Sequence, residues 1–279
     1  MGGEAFGSQK RPPLDVRRLE EHCRRSRLWG SIDVRESVGS TNDELASLAA
    51  DGAGEGAVIA AEHQTSGRGR VDRVWTSPPR AGIAASMLLR PDVAQARWSW
   101  LPLLAGVAAV ETIAELTVIS AALKWPNDVL LGAGRGKGVG ILADVVGSAV
   151  ILGVGVNVTV RREELPRDDA TSLALEGADA DRTELLAGLL DRVERWYARW
   201  SEAGGDPSAS GLAAAYAARC ESLGRQVTVS MPDGTAVRGL ADRIDADGRL
   251  RVETGDGAVS VAAGDVRHVR LNASTPQEN

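Results

Sequence analysis

Three apolar runs follow one another with almost nothing between them: "ALKWPNDVLL" (122–131), "KGVGILADVV" (137–146) and "SAVILGVGVNV" (148–158). The second and third are rich in β-branched residues, the first is broken by Pro126 and Asn127, and the three read as strands joined by short turns. Two earlier runs have the same character, "GAVIAAEHQ" (56–64) and "GIAASMLLR" (82–90). Between the two groups, residues 96 to 116 form the longest apolar helix candidate. Strands that are apolar on both faces need a layer on each side, which predicts an α/β layered domain with a mixed sheet.

The rest of the chain fits around that sheet. "LDVRRLEEHCRRSRLW" (14–29) spaces Leu14, Leu19, Cys23 and Leu28 as one face of a short helix, and "SIDVRESV" follows as a strand. "STNDELASLAA" (40–50) carries a capping box, with Thr41 as N-cap and Glu44 three residues on, so a helix is expected there. Residues 183–200 are a strongly amphipathic helix, and a second is expected at about 208 to 221. From Ser222 to Arg270 short alternating runs are separated by "PDG", "DADG" and "GDG", the turn signals of an antiparallel β module. That stretch holds seven arginines, no lysine and seven acidic residues, so it offers no phosphate-binding stripe; it is expected to serve structure or partner docking.

Charge and cysteine content narrow the function. Against 32 Lys plus Arg stand 38 Asp plus Glu, a net charge of -6, which argues against nucleic acid as the main partner. Cys23 and Cys220 are isolated from each other and from any Cys or His companion, so neither a disulfide framework nor a zinc site is suggested, and a reducing cytoplasm fits. No membrane-spanning run and no signal-peptide core are expected.

Against that acidic background, "GRGRVDRVW" (67–75) concentrates cations. Its glycines free the backbone, while Arg68, Arg70 and Arg73 supply planar forks for carboxylate or phosphate oxygens. Disordered RNA-binding tails also alternate Arg and Gly, but in many repeats, whereas this stretch occurs once between two strands. Trp75 reads either as a core anchor or as a stacking surface for a nucleobase. "GAGRGKGVG" (132–140) fails as a phosphate-binding P-loop, since Gly138 follows Lys137 and Leu131 stands where a glycine is required. It fails as a dinucleotide fingerprint because it opens no helix. A hairpin turn explains its glycines but leaves Lys137 as either a snorkelling edge residue or a functional cation. In "KWPND" (124–128), Lys124 and Asp128 bracket a turn at a strand end, where open α/β sheets place ligand groups, and Asp128 suits Mg2+ bound with phosphates.

Taken together, "GSTN" (39–42), "EHQTSGRGRVDRVW" (62–75), "KWPNDVLL" (124–131), "GKGVGILAD" (136–144) and "GVGVNV" (153–158) resemble the biotin protein ligases in order and spacing, over about residues 30 to 270. The resemblance implies an α/β (α+β) catalytic domain like that of class II aminoacyl-tRNA synthetases, with a mixed β-sheet flanked by helices, followed by a small Src-homology-3-like β-barrel. The expected organisation is a leader and short helix (1–30), the catalytic domain (31–221), the barrel (222–270) and a disordered tail (271–279). Only about 30 residues precede the catalytic region, so the chain resembles the monofunctional class rather than the repressors with a winged helix. A lipoate-type ligase or octanoyltransferase shares the fold but lacks the GRGR and KWPND pair.

The resemblance further implies ATP-dependent activation of biotin to biotinyl-5'-AMP and transfer to a lysine of the biotin carboxyl carrier domain of an acyl-CoA or pyruvate carboxylase, with Mg2+ and without nucleic acid or membrane. Carried over residue by residue, Lys137, Arg70 and Arg68 are the catalytic candidates. Ser40, Thr41, Gln64, Gly67, Arg68, Lys137, Gly140 and Gly155 would hold biotin. Arg70, Arg73, Trp75, Lys124, Asn127, Asp128 and Asn157 would hold the nucleotide, with Trp75 on the adenine and Asp128 on the metal. Two positions depart from the family: Asp72 stands where glycine is usual, and Gly138 where a larger apolar residue is common. Asp72 is expected to weaken loop closure or to pair with Arg73.

Overall fold

In the computed structural model, residues 11–70, 73–231 and 233–268 are described. Most of the expected leader, Asp72 and the 271–279 tail lie outside them. The elements run α1 (Val16–Arg25), β1 (Ser31–Arg35), α2 (Thr41–Ala50), β2 (Ala57–Ala61), β3 (Gly82–Leu89), α3 (Trp100–Leu116), β4 (Ala121–Lys124), β5 (Asp128–Leu131), β6 (Gly136–Val146), β7 (Ala149–Asn157), α4 (Arg182–Glu202) and α5 (Leu212–Ala217). Five more strands follow: β8 (Gln226–Ser230), β9 (Ala236–Ile244), β10 (Leu250–Thr254), β11 (Gly257–Val261) and β12 (Asp265–His268).

The first seven strands form one mixed sheet in the order β1-β2-β3-β7-β6-β5-β4, parallel only between β1 and β2. α1, α3 and α4 pack on one face, and the main core lies there. α2 packs on the other face over a smaller cluster of Leu45, Ala49, Ile59, Leu88, Ala149 and Ile151. Strand alternation explains the two faces. Along β7, Val150, Leu152, Val154 and Val156 enter the main core. The opposite face begins with Ala149 and Ile151 under α2 and continues into Gly153 and Gly155. Register places Ala84 and Gly140 beside Gly155, and Ser86 and Leu142 beside Gly153. Around Gly155 that face is therefore paved with small residues, while Gly153 lies under Asn42 of α2.

The last five strands form an antiparallel sheet in the order β11-β10-β9-β8-β12 around Val227, Val229, Leu250, Val252, Val261 and Val266. Two tryptophans help to join it to the larger domain: Trp100 of α3 donates its indole N–H to the Ala246 carbonyl at 2.9 Å, and Trp125 is the second. Trp125 is buried, its backbone N–H donates to Ser222 Oγ at 3.3 Å, and its indole N–H donates to the Gly248 carbonyl at 3.0 Å. At the other end of the chain, Arg182 and Glu62 form a buried ion pair at 2.8 Å. Glu62 also accepts the Leu14 backbone N–H at 2.6 Å, and Arg182 donates to the Pro12 carbonyl at 2.5 Å. This pair satisfies its own charges while pinning the segment ahead of α1 to the end of β2.

Four expectations need correction. Ser40, not Thr41, is the N-cap of α2, accepting from the Asp43 backbone N–H; Thr41 is the first helical residue, and Glu44 pairs with Arg35 at 2.6 Å. The helix expected near 208–221 is only α5, because Gly211 takes φ 78° ahead of it and the chain turns at 218–220 to bond with β4. The 14–29 helix is confined to Val16–Arg25 by Asp15 and Ser26. Contrary to the expected absence of a membrane-length segment, residues Gln95–Leu116 are long and apolar enough by composition to span a bilayer. That window is 67% buried inside the protein, with Trp100, Leu104 and Val107 in the core.

Candidate active site

A cavity of about 550 Å3 lies over the glycine-paved half of the sheet, walled by the arginine loop, the KWPND turn and the smaller sheet. Except for Gly67, every residue expected to touch biotin or nucleotide lines it: Ser40, Thr41, Gln64, Arg68, Arg70, Arg73, Trp75, Lys124, Asn127, Asp128, Lys137, Gly140, Gly155 and Asn157. Gly67 acts through the backbone instead. Its carbonyl accepts the Trp75 N–H at 2.8 Å, closing the loop, and a Cβ there would run into the Trp75 carbonyl and the Gln64 amide.

The floor is shaped by what the glycines admit. Trp75 lies flat enough against the sheet that a Cβ on Gly140 or Gly155 would come within 2.7 and 2.5 Å of its ring. The two glycines make room for the indole, so the space expected to receive ligand against the sheet is filled here by Trp75. Gly153 likewise makes room for the Asn42 amide. The departure at Gly138 has a local reason: Leu131, across the β5–β6 hairpin, occupies the volume a side chain there would need.

At the edge of the floor, the Lys137 ammonium sits 2.7 Å from Asp128 Oδ1 and 5.9 Å from the centre of the Trp75 ring. Lys137 is therefore no loose edge residue. The hairpin register places it opposite Leu130 with an irregularity beside it, which turns its side chain into the cavity. Its strand is buttressed from outside by Thr171, whose N–H donates to the Lys137 carbonyl at 2.9 Å. Asn127 and Asn157, both in the cavity lining, donate their amide nitrogens to the Ile141 and Thr171 carbonyls at 2.8 and 2.9 Å.

The arginines are parked on carboxylates. Arg68 bridges Asp144 at 2.6 Å and Asp43 at 2.8 Å, and Arg73 reaches Asp265 of the smaller sheet at 2.8 Å. Burial, together with neighbouring Arg73, lowers the pKa of Arg70, with Asp128 opposing the shift. For Asp265, burial alone would raise the carboxyl, but Arg73, Lys124 and Arg267 bring it below its ordinary value. The Arg70 shift records burial first, whereas the Asp265 shift records the cations around it.

Beneath Arg68 runs a chain of hydrogen bonds invisible in the sequence. Asn42 donates to Asp144 at 2.8 Å; its oxygen accepts from buried Ser86 at 2.6 Å; Ser86 reaches Thr41 Oγ1 at 2.8 Å; and Gln64 Oε1 accepts from Thr41 N–H at 2.8 Å. Asn42 was part of the GSTN motif without a role, and Ser86 looked like one small residue in a strand. A second omission is the smaller sheet, which contributes Ser230, Met231, Gly264, Asp265 and Arg267 to the cavity wall. The module expected to serve structure or partner docking also walls the cavity, its residues reaching it from about a hundred positions away in the chain. Neither Arg225 nor Arg243 does so; they pair with Glu221 and Asp242. Arg167, held by Asp169 at 2.7 Å, is a further lining cation that carried no sequence signal.

Residues 34–160 match the Biotin/lipoate A/B protein ligase family, and residues 222–269 match the biotin protein ligase C-terminal domain. A biotin--[acetyl-CoA-carboxylase] ligase of Mycobacterium tuberculosis is 43% identical over 93% of this chain and 97% of its own length. The bifunctional ligase/repressor BirA of Bacillus subtilis is 34% identical, covering 84% of this chain and 72% of the relative. Among solved structures, biotin protein ligase from Aquifex aeolicus in complex with biotin and ATP superposes with a TM-score of 0.72 at 27% identity, over 87% of this chain and all of that one.

Proposed function

Because this chain belongs to the biotin protein ligase family, we infer that the 550 Å3 cavity is where it joins biotin to AMP. It is an ATP-dependent ligase that attaches biotin to a carboxylase. The finer assignment is ours: the acceptor is a lysine of the carboxylase's biotin carboxyl carrier domain, and the enzyme works in the cytoplasm, where its two free, buried cysteines stay reduced.

The observation that carries the reading is the convergence of Arg68, Arg70, Arg73, Lys124 and Lys137 on one cavity, beside the Thr41–Gln64 pair and the Trp75 ring. Bringing a carboxylate to the α-phosphate of ATP sets two anions against each other, and fixed cations in a partly desolvated site stabilise the charge that builds on the phosphate oxygens. Lys137 is assigned to the reacting carboxylate and phosphate, and Arg68 and Arg70 to the phosphates. Ser40, Thr41 and Gln64 are polar enough and close enough together to recognise the ureido ring. Lys124 and Arg73 extend the same positive field, and Trp75 offers a face to the adenine. Asn127 and Asn157 are assigned to the base.

The protein provides no metal cage: no cluster of three or more ligating side chains occurs among the described residues, and Asp128 is the cavity carboxylate nearest Lys137. That suits Mg2+, which is ordinarily held by one or two carboxylates plus substrate phosphates. Asp128 is the residue assigned to it; the ion would add positive charge at the phosphates.

The mixed anhydride must be kept from water until the acceptor arrives, and the arginine loop is the segment placed to do so. The test is direct. Incubated with ATP, Mg2+, biotin and a carrier-domain fragment, the protein should label the carrier's lysine, as read with streptavidin. Labelling with lipoate instead of biotin would move the assignment to the other branch of the family, and no labelling would sink it.

A further inference from the structure

Of the 32 lysine and arginine residues, only Lys10, Lys124 and Lys137 are lysines. Lys124 and Lys137 line the cavity, and Lys10 lies outside the described residues. All other such cations among the described residues are arginines, including those that border the cavity against solvent: the Arg68 and Arg73 side chains are 43% and 48% exposed. An adenylate leaving the cavity passes guanidinium groups, not amines.

The distinction is chemical. A neutral lysine amine attacks the acyl carbon of an acyl-adenylate: the N–C bond forms, the bond from that carbon to the phosphate oxygen breaks, AMP leaves with the electron pair, and a proton goes to solvent. An exposed lysine with pKa about 10.4 has a small neutral fraction at neutral pH. Arginine, whose pKa lies well above that of lysine, has roughly two to three orders of magnitude less, and its lone pair is delocalised over the guanidinium. Both side chains satisfy a carboxylate, so charge and solubility are kept while the nucleophile is removed.

We propose that the absence of lysine from the described residues outside the cavity protects this enzyme from acylation by its own biotinyl-adenylate, leaving the acceptor's lysine as the main amine that the activated biotin meets outside the cavity. Outside the cavity, self-labelling is then confined to Lys10 and the chain's α-amino group. The inference rests on the ligase reading above.

The test uses the full chain and the triple variant Arg24→Lys, Arg238→Lys, Arg249→Lys. All three positions are exposed, and none lines the 550 Å3 cavity. Each protein is incubated with ATP, Mg2+ and biotin without carrier, and biotin on the chain is located by peptide mass mapping. In parallel, each is given the carrier fragment to measure ligation. The expected result is equal carrier labelling by both, with at least about tenfold more biotin per chain on the variant, at the new lysines. Equal self-labelling of the two proteins, or a variant that labels the carrier but not itself, would overturn the proposal, since protection would then come from elsewhere. Failure of both proteins to label the carrier would instead strike the ligase reading, a different outcome in a different tube.

Discussion

The Lys137 ammonium stands 2.7 Å from the Asp128 carboxylate, across the hairpin that joins the KWPND turn to the glycine-rich strand. Two motifs that are separate in the chain thus present one ion pair to the cavity. Lys137→Ala removes the cation and leaves Asp128 without its partner, so biotin-dependent exchange of pyrophosphate into ATP should fall on the order of 100-fold or more. Circular dichroism should still report a folded protein. Near-normal exchange would assign the pair to structure alone.

Arg70→Gly should separate synthesis of the adenylate from its retention. Arg70 lines the cavity in the one loop that also carries Arg68, Arg73 and Trp75. With less charge to hold that loop over the anhydride, the intermediate should escape and label added albumin. Strict carrier labelling with unmarked albumin would refute the retention role.

Asn42→Ala cuts the hydrogen-bond chain that runs from Arg68 through Asp144, Asn42 and Ser86 to Thr41 and Gln64. It leaves buried polar partners unsatisfied, a cost of about 1–3 kcal/mol. If the chain orients Thr41, the KM for biotin should rise roughly tenfold or more while the KM for ATP moves little, because each 1.4 kcal/mol is about a factor of ten. Equal rises for both substrates would mean general loosening.

Removing the chain after Ser222 should abolish both half-reactions, since the lost module supplies part of the cavity wall and the Gly248 carbonyl that holds Trp125. Trp125→Phe is the milder companion, deleting one buried hydrogen bond; it should raise the KM for ATP without unfolding the protein. A truncated, folded chain that still exchanges pyrophosphate would return the module to a docking role.

His268 gives a pH dependence with a definite sign. Burial, then Lys124 and Arg225, lower its pKa from 6.5, with Glu221 opposing. The unfolded chain therefore binds the proton more readily than the folded one. The stability this site contributes is complete above about pH 6.5 and is lost as pH falls toward the folded value. Denaturation midpoints should decline on acidification below that point, and His268→Gln should flatten the decline. An unchanged slope in the variant would assign the acid sensitivity to other groups.

The layered sheet, the arginine loop and the cavity residues were legible because each depends on local pattern: alternation in β7, glycine beside arginine, a turn in KWPND. Helix ends were less legible where tertiary contacts decide them. Ser40 and Thr41 are equally good caps by type, and only the entry of the chain from beside β2 selects Ser40. The contributions of Asp265, Arg267 and Met231 were beyond reach for a different reason. Nothing within their own neutral segments distinguishes residues that face a remote cavity, and long-range anchors such as Trp125 on Gly248 and Trp100 on Ala246 set that orientation. Trp75 could be assigned to core or to ligand from its sequence neighbours, but its resting place depends on two glycines some 65 and 80 residues downstream.

The buried Arg182–Glu62 pair has a mechanical meaning as well. Glu62 grips the backbone at Leu14, Arg182 grips it at Pro12, and two residues beyond Glu62 stands Gln64, whose side-chain oxygen meets Thr41. Load applied upstream of Pro12 is shared between this staple and Arg11, which donates to the Thr159 carbonyl at 2.9 Å and pairs with Glu164 at 2.6 Å, and the staple lies in series with the Gln64 amide in the cavity wall. A tether, fusion partner or surface attachment at that end therefore has a lever on the Thr41–Gln64 side of the cavity, whereas the same load applied beyond β12 would pass through the smaller sheet to the Asp265 side.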